Sequence, residues 1–307
     1  MRRTEEFDAF GPWILEVESR EDVPRLYRGH PLDLESAEMV LKVPRRIWRR
    51  DANPDMDLYD NLIVAGPDAI TVLSRRGDRY EATELPYRRI AAISSSVSLL
   101  DGRLLIHDAD GRLPAGLAIN VRYNSVSNDL IQRLVHLLRA KTREAGPAPS
   151  SQVPAHIERG PLALRDLGDD DVALVTGLRE VAALDDRVVP VATHQRTVVQ
   201  RRNGTLGRIT DVLRPVTLQA AIVCVSPGEL HVFHRRQWFT TGRRPMHSVA
   251  HTVVVAPLVT AVAEEDAKYA SARTVRITSG RAFLEVPFPS GSETGAAMRE
   301  ALGATSR

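Results

Sequence analysis

Short apolar runs, many alternating with polar residues and punctuated by Gly, Pro or Asp-Gly, dominate this chain and predict strands more often than helices. In the N-terminal half the runs fall near residues 39–43, 62–65, 69–74, 87–93, 104–107 and 117–123. In the C-terminal half they fall near 188–192, 197–201, 219–225, 229–234, 252–262, 273–278 and 282–286. Helical spacing is clearest where Leu130, Ile131, Leu134, Leu137 and Leu138 share one face. Ser127 is placed to cap that helix, Asp129 sits in its first turn, and Arg139, Lys141 and Arg143 suit its C-terminal dipole before Gly146. A shorter helix is expected after Ser292, with Met298 and Leu302 on one face and Gly303 as its stop. Asp169, Asp170 and Asp171 open a third, whose apolar positions include Leu174, Leu178 and Val181; the acids read as helix caps in preference to a metal site. Near the N-terminus, 13–17 reads as a strand, and 19–28 as a short helix with Ser19 and Asp22 as a cap pair, weakened by Pro24.

The two halves repeat one another. At an offset of 160, Leu62 to Arg76 lies over Ile222 to Arg236, each a strand, a Pro-containing turn, a second strand and an Arg-Arg exit. At an offset of 165, Ile119 to Ser127 lies over Leu284 to Ser292, each ending in a helix cap. Between these anchors 90–93 corresponds loosely to 259–262, and 104–106 to 275–277. A Pro/Ala/Ser-rich stretch from Glu144 to Pro154 separates the halves. The organisation expected is a first domain over 1–143, a linker and amphipathic helix over 144–186, and a second domain over 187–307. The fold class expected is α+β, mainly β, with two curved sheets or partly open barrels, each closed by a C-terminal helix.

Six or seven antiparallel strands closed by one helix, twice over, resembles the pleckstrin-homology (PH) superfold, with bacterial PH-like domains the nearest class. The resemblance covers about residues 35–142 and 187–303 and rests on element order and the repeat. Neither closing helix carries the Trp often found there in PH domains. What the resemblance implies is a tandem binding or self-assembly module without catalytic residues. Eukaryotic members often bind phosphoinositide head groups through the loop joining the first two strands. Its counterparts here would lie near Arg49–Pro54 and Arg201–Arg208.

Composition narrows this further. The chain has 307 residues, 41 Lys and Arg against 39 Asp and Glu, and one cysteine. A net charge of +2 argues against nonspecific nucleic-acid binding, and a single Cys excludes an internal disulfide framework or a Cys-rich zinc module. No signal peptide is evident, and the uncharged stretch 245–263, with two His and two Pro, reads as two strands in preference to a membrane span, so a cytoplasmic location is expected.

Two basic-aromatic segments carry the candidate contacts. Arg45, Arg46, Trp48, Arg49 and Arg50, with Arg201 and Arg202 in the second half, could meet phosphate or an acidic partner through charge and stacking. The alternative is a strand whose cations pair with Asp51, Asp55, Asp57 and Asp60. Arg235, Arg236, Trp238, Phe239, Arg243 and Arg244 suit protein contact, or else form an ordinary hairpin whose aromatics cover the sheet. His231, His234, His247 and His251 do not read as a zinc site, because His231 and His234 point to opposite faces of a strand. Cys224, inside an apolar strand, reads as a packing residue. Asp108 to Arg112 reads as a hairpin turn built on Asp-Gly. No catalytic, cofactor-binding or metal-ligating motif is expected. The function expected is a non-enzymatic interaction or scaffolding protein, with self-association in view. The alternatives are peripheral binding to an anionic membrane and a β-barrel ligand binder or enzyme with its pocket beneath the Trp238 loop.

Overall fold

The computed structural model describes residues 4–146, 162–200, 214–242 and 247–303. The run from Pro147 to Pro154, most of the expected linker, lies outside the described residues. Of the described residues 43% are strand and 24% helix, so the fold is α+β and mainly β. Among the described residues no antiparallel sheet closes into a barrel.

The N-terminal half begins with α1 (Glu5–Ala9) and a five-stranded sheet in sequential order: β1 (Leu15–Glu16), β2 (Met39–Pro44), β3 (Tyr59–Ala65), β4 (Ala69–Arg76) and β5 (Arg79–Pro86). A one-turn 3-10 helix at Tyr87–Arg89 leads into β6 (Ile90–Ser98), β7 (Asp101–Asp108) and β8 (Leu117–Asn124), followed by α2 (Asn128–Ala145). After α3 (Val172–Leu184) come β9 (Val189–His194), β10 (Thr197–Val199), β11 (Val216–Leu218), β12 (Ala221–Ser226), β13 (Glu229–His234), β14 (Phe239–Thr241) and β15 (Ser248–Val255). A second 3-10 turn, Ala256–Leu258, leads to β16 (Ala261–Asp266), β17 (Ala272–Ser279), β18 (Ala282–Pro289) and α4 (Thr294–Ala301).

The repeat read from sequence is a repeat of hairpin registers. Val64 opposes Thr71 in one half and Cys224 opposes His231 in the other, both at the offset of 160. Leu104 faces Val121 as Val275 faces Val286, and Ile93 faces Ile106 as Val262 faces Ile277. Each half therefore shares a four-stranded antiparallel run (β2 to β5, and β9, β12, β13 and β15), a 3-10 turn, a three-stranded meander and a closing helix; β1 adds an edge to the first run, and β10, β11 and β14 form a separate three-stranded sheet in the second half.

The halves are not beads on a string. β6 pairs antiparallel with β15, from Ser98 opposite Ser248 to Ala92 opposite Val254. This makes one seven-stranded sheet ordered β8-β7-β6-β15-β13-β12-β9. Two sheet edges, each a row of unpaired backbone groups, satisfy one another. Ile93 packs in the first core with α2, whereas Val254, opposite the neighbouring Ala92, packs in the second core with α4. Side chains alternate along a strand, so the two cores lie on opposite faces of the shared sheet. α3 then covers the face of the second half that α4 leaves bare, placing Leu174 and Leu178 over Ile222, Cys224 and Phe233.

Several expectations change. β5 is missed by hydrophobic pattern because only Leu85 in it is buried. The run 252–262 is broken at Pro257 into β15 and β16, which agrees with two strands in place of a spanning segment. Among the described residues no helix is long and apolar enough to cross a membrane. Residues 19–28 do not form an α-helix: Asp22 Oδ2 accepts from both N and Oγ of Ser19, and only a 3-10 turn at Arg25–Tyr27 follows Pro24. Ser127 stands at the N-cap of α2, but its Oγ accepts the Ile14 N–H at 2.7 Å, tying the N-terminal segment to the helix. The Asp108–Arg112 segment is part of a longer loop to β8 in which Arg89 grips Asp108 at 2.5 Å and Asp110 at 3.3 Å.

Across the seam, α2 sends Arg139 into the second half, where its guanidinium meets Glu229 Oε2 at 2.7 Å and Asp185 Oδ2 at 2.9 Å, with all three side chains 2–3% exposed. Removing one member strands buried charge, which typically costs about 3–5 kcal/mol. Arg139→Met is therefore expected to lower the unfolding free energy by that order, read as a fall in the urea midpoint, and to split a single unfolding transition into two. An unchanged, single transition would show that the halves are not coupled through this cluster.

Candidate functional site

The two basic segments identified from sequence meet at one carboxylate. Arg46 reaches Asp101 Oδ1 at 2.5 Å, and Arg236, from the other half, reaches Asp101 Oδ2 at 2.5 Å. Burial pushes the Asp101 carboxyl up, but hydrogen bonds from Arg122 and Arg236 outweigh it and hold it at about 2. Arg236 also donates to the Ser96 carbonyl at 3.0 Å, so it works as a clamp on the β6–β15 seam. Arg235 is 2% exposed and binds Asp171 at 2.7 Å together with the carbonyls of Ser248 and Asp170. Arg235 and Arg236, the two described arginines of the expected protein-contact segment, are thus engaged within the fold. Trp238 stacks on His234, 4.3 Å between ring centres, and Phe239 leans on Tyr269 at 4.7 Å. Arg243 and Arg244 lie outside the described residues, as do Arg201 and Arg202.

In the first basic run Arg45 donates to the Asp57 carbonyl at 3.0 Å and Arg49 to the Phe10 carbonyl. Arg46 and Arg49 remain exposed although bonded, while Trp48 is 72% exposed with Arg50 over its ring, and Arg50 keeps a loose 3.7 Å pair with Asp51. The Asp169–Asp171 trio forms a 3-10 turn before α3 without a side-chain cap. Each acid instead meets an arginine: Asp169 with Arg165, Asp170 with Arg196, and Asp171 with Arg235. Cys224 is fully buried, and burial pushes its thiol up, as befits a packing residue.

The histidines are arranged as strand alternation requires. His231 shares a face with His251, and His234 lies on the other, where its Nδ1–H donates to the Arg235 carbonyl and its Nε2 accepts from Thr252 Oγ1. On the first face a polar chain runs inward from the cluster beneath Arg139. Ser226 Oγ–H donates to Glu229 Oε2 at 2.9 Å. A hydroxyl has one hydrogen, so Ser226 Oγ must accept from His231 Nε2–H, 2.9 Å away. His231 Nδ1 is then an acceptor, and it takes the Nε2–H of His251 at 3.0 Å. This fixes both tautomers and leaves His251 Nδ1 as a bare lone pair, buried and without a partner. Burial lowers His251 well below the ordinary histidine value, and lowers His231 despite Glu229, so both rings are neutral near pH 7. Ser226, His231 and Glu229 have the residue types of a hydrolase triad but not its geometry. Ser226 and Glu229 both approach the same ring nitrogen, and all three are buried.

The chain ends at the floor of an open cleft of about 1150 Å3. The cleft lies over the β6–β15 seam between α2 and α3. Ser95, Val97, Phe233, Val249 and His251 form its floor, and the Phe233 ring lies parallel to His251 at 4.3 Å. Asn128, Asp129, Gln132 and Arg133 of α2 form one wall, and Ala173, Thr176, Glu180 and Leu184 of α3 help form the other. Leu184 is 63% exposed. Gln132 donates to Ser95 Oγ at 3.3 Å, and Arg133 is held by Glu16 at 2.8 Å. Asp129 and Glu180, one on each wall, have no cationic partner among the described residues. Sequence reasoning does not find this site, because it exists only where the two halves join; the one local sign is Ser94-Ser95-Ser96, a polar run inside an otherwise apolar strand. No protein-family model and no curated protein matches the chain.

The buried histidines make stability acid-sensitive. Burial lowers His194 and His234 to about 4, against about 6.5 when unfolded. Below pH 6.5 the unfolded chain binds protons that the native rings refuse, so stability falls as pH drops toward 4. At pH 5 each ring accounts for on the order of 2 kcal/mol, so Tm is expected to fall by roughly 10 °C between pH 7.5 and pH 5. Calorimetry at a series of pH values checks this, and a flat Tm across that window would contradict it.

Proposed function

We propose that this protein is a non-enzymatic interaction or scaffolding protein built from two PH-like modules, and that it engages its partner in the cleft between α2 and α3. The PH-like reading is supported by the order the halves share: a four-stranded antiparallel run, a step, three strands and a closing helix, with β1 and the β10-β11-β14 sheet as additions. The observation that carries the functional reading is the cleft itself. Two rigid modules share one sheet, and over the joint they leave a trough with an apolar floor, exposed Leu184 on its rim and polar groups converging from both halves. Such a surface is made by the tandem arrangement and by neither module alone.

Membrane attachment through the first basic run is the weaker reading. Arg45, Arg46 and Arg49 are already bonded within the fold, leaving Trp48 and Arg50 as the least engaged pair. The reading is tested by cross-linking and co-purification of the full chain from its native cell in three forms. Ala173→Trp, which fills the trough from an exposed position, is expected to lose partners that the wild type and a Trp48→Ala/Arg50→Ala variant both retain. The same partners on all three proteins would overturn the cleft as the working surface. Salt-sensitive flotation with anionic vesicles, abolished in the Trp48/Arg50 variant, would favour the membrane reading instead.

A further inference from the structure

We infer that the cleft takes an amphipathic helical segment of a partner protein, its apolar stripe flanked by basic residues. This rests on the proposed binding role and names the chemistry of its occupant.

Two features argue for it independently. The first is shape. α2 and α3 lie on the same face of the seven-stranded sheet, and among the described residues no helix lies over the seam between them. A third helix, about 10 Å across with its side chains, would continue that layer. Its anchors at i, i+3/i+4 and i+7 would meet Val97, Phe233 and Val249 on the floor and Leu184 on the rim.

The second feature is charge. Asp129 and Glu180 stand on opposite walls with no cation paired to them among the described residues, and the one basic residue of the lining, Arg133, is turned to Glu16. Basic residues on either side of an apolar stripe complement that rim, and an acidic helix would be repelled.

The test uses the full chain and a labelled amphipathic peptide of Leu, Ala and Lys, about 16 residues long. Fluorescence anisotropy at low salt is the readout. The Lys peptide is expected to bind, and its Glu-for-Lys counterpart to bind at least about tenfold more weakly. Asp129→Asn/Glu180→Gln should weaken the Lys peptide roughly five- to tenfold, and added salt should narrow that gap. Equal binding of the Lys and Glu peptides, no binding of the Lys peptide, or unchanged affinity in Ala173→Trp would each overturn the inference. If the cleft-dependent partners of the preceding section persist while the Lys peptide fails, the occupant is of another class and the binding role stands. If neither depends on the cleft, both fall.

Discussion

Arg139 leaves the closing helix of the first half and ends, desolvated, between Glu229 and Asp185 of the second, with Arg143 and Arg187 adding a cation to each acid from the cluster's more exposed side. A buried cluster of this kind adds little net stability over a well-packed apolar one, since dehydrating the charges offsets much of their attraction. Its effect is on geometry. Charges so buried tolerate one mutual arrangement, and that arrangement sets α2 against the β12–β13 turn while β6 lies beside β15. Arg236 and Asp101 do the same at the other end of the seam. Between these two clamps the strands have one register available to them.

The tautomers of the histidine chain depend on that cluster. Glu229 is surrounded by Arg139 and Arg143, and although burial pushes its carboxyl up, hydrogen bonds from His231 and Arg139 hold it well below the usual range. As a carboxylate it can only accept, so Ser226 must donate to it, His231 must donate to Ser226, and His251 must donate to His231. The direction of every proton in the chain follows from one charged group. The unpaired lone pair of His251 is thus a consequence of how the halves are joined.

Much of each half was legible in the sequence because its determinants are local. Strand alternation, the Pro-containing turns of Leu62–Arg76 and Ile222–Arg236, and the i, i+3/i+4 face of Leu130–Leu138 concern residues close in the chain. Even the unequal offsets were informative, since the hairpin registers reproduce them. β5 was hidden because an edge strand with one buried side chain has no apolar pattern to read. The cleft was hidden for a different reason. Ser95 and His251 become neighbours through strand pairing across a sequence separation that no local signal encodes. The arginines misled in the same way: Arg46 and Arg236 look like free cations beside aromatics, and only the fold brings Asp101 between them. The parity argument that separated His231 from His234 held because it needs only the period of a strand.

The seam also bears on why the contact is made once. β6 is the leading strand of a three-stranded meander and β15 the last of a four-stranded run, so the pairing is head-to-tail, a kind that propagates when its counterparts are free. Those counterparts are β16 and β5, each at the edge of its sheet. Carried over at the seam's register, Ser96 opposite Ala250 becomes Glu265 opposite Glu81, and Ser95 opposite His251 becomes Glu264 opposite Ala82. Where the seam is neutral, the free edges would set Glu265 directly against Glu81, and directly opposed like charges destabilise a strand pair. Glu264 and Glu265 are moreover held on their own sheet by Arg273 and Arg276. Charged edges are a common device against unwanted pairing, and here they leave the joint that builds the cleft inside the chain without offering it to the next copy.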